Sequence, residues 1–141
     1  MVNLTINKQH VCVPEGTTIL EAARQIGIKI PTLCCLKEIN GIGAGRVCMV
    51  EIAGMSRLVT ACDTPVTIGM EVITNSARVR EARKTNVELI LSQHHTDCPT
   101  CVRSGNCSLQ KIANDLNLVA NEYPVRYAET KWTSTFPLVR D

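Results

Sequence analysis

The chain has 141 residues, enough for one ordinary domain or two small ones, and its net charge of +2 indicates no nucleic-acid or anionic-membrane partner. Aromatic residues make up only 3% of the chain, which argues against base stacking and predicts an aliphatic core. No secretory signal opens the sequence, and no apolar run approaches the roughly 20 residues of a membrane-spanning helix. We therefore expect a cytoplasmic protein without a nucleic-acid partner and without direct membrane insertion.

The first 76 residues predict a small mixed sheet packed on one helix. Apolar and polar residues alternate over residues 2–6, as in a half-buried strand, and a second strand follows at 11–13. Thr18 and Glu21 match a capping box for a helix that ends near Gly27. Further strands are predicted at 47–52, 58–61 and 70–73. This order of elements fits the β-grasp architecture.

Helices are predicted in the segment that follows. Ser76 is the expected N-cap of a helix that runs to about Ser92, and Ser108 that of a shorter one. The longer helix combines an apolar stripe with a basic face, made of Arg78, Arg80, Arg83 and Lys84. That face is either an ordinary solvated surface or a docking surface for an acidic partner.

Residues 94–107 carry the spacing H-x3-C-x2-C-x5-C. The candidate ligands are Cys98, Cys101, Cys107 and one imidazole, with His94 preferred and His95 as the alternative. Soft ligands so close together indicate a metal or an iron–sulfur cluster, and both a structural zinc and a [4Fe–4S] cluster satisfy the set. The even number of eight cysteines leaves disulfides as an alternative, although a reducing compartment favours ligands.

A second group of cysteines lies upstream. Cys34 and Cys35 lie in a loop, Cys48 in the third predicted strand, and Cys62 just after the fourth. A β-grasp fold holds a [2Fe–2S] centre with cysteines placed in this way, two thiolates on each iron. Cys12 lies in the second strand, where we expect it to pack in the core rather than bind a metal.

Four stretches together resemble the N-terminal region of [FeFe]-hydrogenases and of the large iron–sulfur subunit of complex I, a region shared with NAD-dependent formate dehydrogenases. They are Pro31–Cys34, Gly43–Glu51, Thr60–Cys62 and His94–Cys107. The resemblance implies an α+β fold: a β-grasp [2Fe–2S] ferredoxin-like domain at 1–76, a small helical [4Fe–4S] domain at 77–118, and an extended C-terminal arm or linker at 119–141.

The resemblance also implies the ligands. The four ligands of the [4Fe–4S] cluster would be His94, Cys98, Cys101 and Cys107. Three ligands of the [2Fe–2S] cluster would be Cys34, Cys48 and Cys62.

One position departs from the family pattern. Gly45 stands where a fourth cysteine would share an iron with Cys34. Cys35 is a weak substitute, because consecutive Cα atoms lie only about 3.8 Å apart and neighbouring side chains diverge. The [2Fe–2S] centre is therefore doubtful. Three interpretations of Gly45 compete. In the first, the site is empty and the domain serves as a scaffold; in the second, the site holds a labile cluster through three thiolates plus Cys35 or solvent. In the third, Gly45 is an introduced substitution.

The implied function is that of an iron–sulfur electron-transfer subunit or fragment. Electrons would pass between an NADH-binding flavoprotein partner, or ferredoxin, and a redox catalytic domain of the hydrogenase, complex I or formate dehydrogenase type. These residues contain no dinucleotide fingerprint and no centre that would convert a substrate. The alternatives are a zinc-stabilised interaction module and a ferredoxin-like domain that only docks other subunits.

Overall fold

A five-stranded mixed sheet organises the N-terminal half of the computed structural model, which describes residues 1–35, 43–94, 96–118 and 123. The strands are β1 (Val2–Ile6), β2 (Gln9–Val13), β3 (Met49–Ile52), β4 (Val59–Thr60) and β5 (Glu71–Ile73). They are ordered β2-β1-β5-β3-β4, with β1 parallel to β5 and all other neighbours antiparallel. Each strand lies where the sequence predicts one, although β3 begins at Met49 and leaves Cys48 in the turn before it.

Helix α1 (Ile19–Gln25) covers one face of this sheet. The predicted capping box is confirmed: the Glu21 amide donates to the Thr18 hydroxyl, and the Glu21 carboxylate accepts from the Thr18 amide, both at 3.3 Å. The buried face of α1 packs with alternate strand residues into an aliphatic core. Its largest fully buried members are Ile6, Val13, Ile19, Leu20, Val50 and Val72.

Two further helices, α2 (Ala77–Leu91) and α3 (Ser108–Asp115), pack on each other beside the sheet. Ser76 is the N-cap of α2, as predicted, and its hydroxyl accepts from the Val79 amide. The prediction for α3 was wrong by one residue, because its N-cap is Cys107, without a side-chain cap bond. A second, smaller hydrophobic core is centred on Val47, Val87 and Ile112.

Two expectations about burial were wrong. Cys12 is exposed, because it occupies the outward-facing position between the buried residues Val11 and Val13 of β2. Arg83 is only 6% exposed and does not belong to the solvated basic face of α2. It lies four residues from both Val79 and Val87, and therefore on the buried side of the helix.

In the described part of the chain, no helix is both long enough and apolar enough to span a membrane. The predicted C-terminal arm at 119–141 lies, apart from Tyr123, outside the described residues.

Candidate metal centres

Cys48 and Cys62 form a close pair of buried thiols. The Ala61 amide donates to the Cys48 carbonyl at 3.0 Å, which places the turn after β4 beside the turn before β3. The amides of Ile19 and Leu20 donate to the carbonyls of Thr64 and Ala61, so the first turn of α1 holds the Cys62 turn in place. The two sulfur atoms lie 3.4 Å apart. Two sulfurs on one tetrahedral metal are separated by roughly 3.8 Å at a metal–sulfur distance of about 2.3 Å, so this pair suits a single iron.

Burial makes the Cys62 thiol harder to ionise in the metal-free protein. Desolvation, together with the hydrogen bond and charge of Cys48, raises the pKa of Cys62 to about 12. Metals bind thiolates, so loading this site must release protons. The binding energy of the metal has to exceed the cost of ionising the buried Cys62 thiol.

Cys34 lies on the other side of the predicted binuclear site, next to Gly45. The Gly45 amide donates to Cys34 Sγ at 3.2 Å, and an ideal Cβ on Gly45 would lie 3.4 Å from the same sulfur. Gly45 is not among the residues with a positive φ, so its backbone is compatible with a cysteine. The structure therefore juxtaposes Cys34 with the position of the missing ligand.

Cys35 is not directed to that gap. None of its atoms lies within 4 Å of the ideal Cβ position on Gly45, and its side chain packs against the core that contains Cys48 and Cys62. The predicted divergence of the neighbouring side chains of Cys34 and Cys35 is thus visible in their different surroundings.

The loop around Gly45 is attached to α2 by residues that sequence reasoning missed. Asn86 donates to the Arg46 carbonyl at 2.9 Å, and Arg83 Nη2 donates to the Met49 carbonyl at 2.7 Å. Burial lowers the pKa of Arg83, and the nearby Cys48 acts in the opposite direction. The spacing of Arg83 from the apolar residues Val79 and Val87 was the available signal, whereas nothing in the sequence singles out Asn86.

The second predicted ligand set lies between α2 and α3. His94 follows the end of α2, where its amide donates to the Leu91 carbonyl at 3.1 Å. A short 3-10 helix, Cys98–Thr100, contains Cys98, and the Cys101 amide donates to the Cys98 carbonyl at 3.2 Å. Cys107 is the N-cap of α3. Cys98 and Cys107 are half-buried and Cys101 is exposed, while His95 lies outside the described residues.

Backbone geometry supports sulfur ligation in this segment. The Arg103 amide donates to Cys101 Sγ at 3.4 Å, so the backbone holds this sulfur in position. Gly105 has a φ of 80°, a left-handed conformation that lets the chain turn back towards Cys107.

The two donor sets differ in how well they fit the clusters that the family implies. Within the described ranges, no three His, Cys, Asp or Glu side chains converge on a point that could hold one metal ion. The segment 94–107 supplies three thiols and an imidazole, one donor for each iron of a [4Fe–4S] cluster, and so its chemistry fits. The upstream set supplies three of the four sulfurs that a [2Fe–2S] cluster needs, and so it does not fit completely.

Two family models match the chain. A model of a 2Fe-2S iron-sulfur cluster binding domain matches residues 1–77, more than half of the chain. The chain belongs to this family of iron–sulfur proteins. A model of the NADH-ubiquinone oxidoreductase-G iron-sulfur binding region matches residues 83–121, which include the second ligand set. Both a 2Fe-2S and a 4Fe-4S type of binding region are therefore present, in the order that the sequence predicts.

Individual relatives agree with these models. The chain is 43% identical over 139 residues to the NADPH-Fe(3+) oxidoreductase subunit alpha of Geobacter sulfurreducens, covering 99% of this chain and 16% of that protein. It is 46% identical over 128 residues to the NADP-reducing hydrogenase subunit HndD of Solidesulfovibrio fructosivorans, covering 87% and 22%. It is 41% identical over 112 residues to an NADH-quinone oxidoreductase subunit of Rhizobium meliloti, covering 79% and 13%.

A solved structure also shares the fold. The crystal structure of an NAD+-reducing [NiFe]-hydrogenase in the H2-reduced state superimposes with a TM-score of 0.84 at 30% identity, covering 91% of this chain and 54% of the other.

The chain spans about an eighth to a fifth of the length of the curated relatives it matches. The matched stretch is the iron–sulfur binding part of proteins that are named as hydrogenase and NADH-quinone oxidoreductase subunits.

Proposed function

We propose that this chain carries electrons between an NADH-oxidising flavoprotein partner, or ferredoxin, and a redox catalytic centre that lies outside these 141 residues. The centre that does so is a [4Fe–4S] cluster bound by His94, Cys98, Cys101 and Cys107. We further propose that the boundaries between the ferredoxin-like domain, the helical domain and the arm fall near residues 76 and 118. The free thiols are consistent with a cytoplasmic location.

One observation carries the proposal: the two predicted cluster regions share a continuous packed structure. Val47 and Cys48 are neighbours in sequence, yet Val47 packs in the core of the helical domain and Cys48 in the core of the ferredoxin-like domain. The pair therefore joins the two cores without a flexible linker. A fixed separation between redox centres is what an electron relay requires, whereas an adaptor that only binds partners has no need of it.

The names of the relatives support a nicotinamide-linked partner. Three relatives have names that refer to NADPH, NADP or NADH, and the solved neighbour is an NAD+-reducing hydrogenase. The chain itself has no dinucleotide fingerprint, so the nicotinamide would bind to another subunit or domain.

The first experiment measures the cluster directly. The chain, purified anaerobically and reconstituted with iron and sulfide, should be brown, should bleach with dithionite, and should contain at least about four irons. A Cys98→Ser, Cys101→Ser double variant is the control and should lose these irons and the reduced-cluster signal in electron paramagnetic resonance. A colourless wild-type chain that retains one zinc and ignores dithionite would overturn the proposal in favour of an interaction module.

The second experiment tests the partner. An NADH-oxidising flavoprotein subunit from the same organism should bleach the reconstituted chain when NADH is added, and the double variant should not accept these electrons. If the chain bleaches with dithionite but not with NADH and such a subunit, the cluster is present, but the NADH-oxidising subunit is not its electron source.

A further inference from the structure

A cavity of about 900 Å³ is lined by parts of all three helices. Its walls come from residues 24–32, which end α1 and follow it, from residues 74–83, which lead into α2, and from residues 108–116, in and just after α3. These segments meet only in the folded chain. The volume lies near the upper end of the range of small-molecule sites, which is roughly 300–1,000 Å³.

Positive charge is concentrated in this cavity. One of its lining residues, Asp115, is acidic, and five are basic: Arg24, Lys29, Arg80, Arg83 and Lys111. None of the five forms an ion pair with a carboxylate of the described residues. Five positive charges against one negative charge leave an excess of four, whereas the whole chain has a net charge of only +2. The cavity is therefore suited to an anion.

Arg83 is the buried member of this basic set. Its side chain lines the cavity although the residue is only 6% exposed. Nη2 donates to the Met49 carbonyl at 2.7 Å, and Nε is buried without a hydrogen-bond partner among the described residues. A buried guanidinium without a carboxylate partner is costly, and an anion beside it would offset that cost. An ordinary solvated basic surface has no such group.

The other four basic residues of the cavity are exposed, so a ligand can reach them from solvent. Arg80 is also anchored, because its Nη1 donates to the Asn75 carbonyl at 2.9 Å. Arg80 belongs to the basic face that the sequence predicts on α2. In the folded chain it lies with Arg24 and Lys29 of the α1 region and with Lys111 of α3 around one cavity.

The size and the walls of the cavity indicate the rest of the ligand. Ile28, Ile30 and Ile112 give the lining an apolar part. A small inorganic anion would leave this part and most of the volume unused, so the ligand needs an organic body. A phosphate group carries up to about two negative charges and binds guanidinium groups in a bidentate manner. A carboxylate on the surface of a partner protein carries one charge and is less suited to a set of cations that includes a buried arginine.

We propose that this cavity binds a phosphorylated small molecule of about nucleotide size. Its phosphate groups are held by the basic residues, and its organic part packs against the isoleucines. None of the predicted cluster ligands belongs to the described lining, so the inference goes beyond the proposed iron–sulfur function and does not rest on it. Because the cavity touches all three helices, a bound ligand joins them and stabilises the folded chain.

The test is isothermal titration calorimetry of the full chain, purified anaerobically, with ADP as the probe. ADP should bind with a stoichiometry of one, and inorganic phosphate should bind at least about tenfold more weakly. Adenosine has the organic part without the phosphates and should not bind. The affinity for ADP should fall as the concentration of potassium chloride rises, because salt screens the exposed charges.

Two double variants make the test specific. Arg80→Gln, Lys111→Gln removes two cations of the cavity and should weaken the binding of ADP at least about tenfold. Both residues are exposed, so this variant should fold, as its circular dichroism spectrum would show. Lys8→Gln, Arg57→Gln is the matched control: it removes the same charge from exposed positions outside the described lining and should bind ADP like the wild type.

Four other outcomes would overturn the inference. Absence of binding by both ADP and phosphate up to about 10 mM would show that the cavity is not a phosphate site. Equal weakening in the two double variants would indicate general charge attraction, and an affinity for phosphate as high as that for ADP would exclude a role for the organic part. Binding of a glutamate-rich peptide without binding of ADP would assign the cavity to an acidic partner protein.

Discussion

The side-chain amide of Asn86 donates to the backbone carbonyl of Arg46 at 2.9 Å, across 40 residues of sequence. This bond joins the middle of α2 to the loop that presents Gly45 to Cys34. Together with the contact of Arg83 with Met49 and the burial of Val47, it makes α2 a structural support for the segment between Gly45 and β3, next to the predicted upstream ligands. Substitutions in α2 should therefore affect the upstream site at a distance.

Replacing Asn86 by Ala should loosen the Gly45 loop. We expect a loss of about 1 kcal/mol in the free energy of unfolding, the usual contribution of one such hydrogen bond, and faster loss of any upstream iron. Urea denaturation and the rate of iron release to a chelator would measure both effects. Asn114→Ala on the exposed face of α3 is the matched control and should change neither. Equal iron release from both variants would contradict the supporting role of Asn86.

Replacing Arg83 by Met should destabilise the fold more strongly. The Met49 carbonyl would lose its buried donor, at a cost of about 1–3 kcal/mol, while the aliphatic side chain preserves most of the packing volume. Arg80→Met at the exposed end of α2 should cost about 0.5 kcal/mol or less. Chemical denaturation of the two variants compares them directly, and an equal loss would show that burial of the guanidinium contributes nothing.

The metal-free chain should become less stable above pH 9. Cys62 has an ordinary pKa of 9.0 when unfolded and a pKa of about 12 when folded. Its full contribution to stability is therefore present below pH 9, and it is lost between pH 9 and 12 at about 1 kcal/mol per pH unit. Denaturation under reducing conditions with a chelator, at pH 8 to 10.5, would measure the slope.

Two variants isolate this effect from other groups that titrate in the same range. Cys62→Ala should flatten the alkaline slope, whereas Cys12→Ala, which removes an exposed thiol, should leave it unchanged. If the wild type and Cys62→Ala lose stability in parallel, the shifted pKa is not the cause.

The choice between the two adjacent histidines can be made by redox titration. If His94 binds the [4Fe–4S] cluster as a neutral imidazole, His94→Cys adds one negative charge and should lower the reduction potential while retaining the irons. His95→Cys should leave the potential unchanged. A lowered potential in His95→Cys alone would reverse the assignment.

Local patterns predicted most elements of this fold correctly. Alternation in β1 and the capping box of α1 depend on neighbours within a few residues, and both are as expected. The predicted burial of Cys12 and the predicted exposure of Arg83 were both wrong, because each was inferred from the residue type and not from the position in the strand or helix. Cys12 follows the period of two in β2, which turns it outward, and Arg83 follows the helical spacing of Val79 and Val87, which turns it inward.

By itself, the sequence determined the class of the protein, because seven of its eight cysteines fall in two spaced sets that are compatible with few chemistries, and the order of these sets matches one family. It also located the missing ligand at Gly45. Only the tertiary structure decided that Cys35 packs against the core with Cys48 and Cys62 rather than beside Gly45, and that Asn86 of α2 holds the loop around Gly45. These facts depend on the contacts of Gly45 with Cys34 and of Asn86 with Arg46, which folding brings together and which no local period encodes.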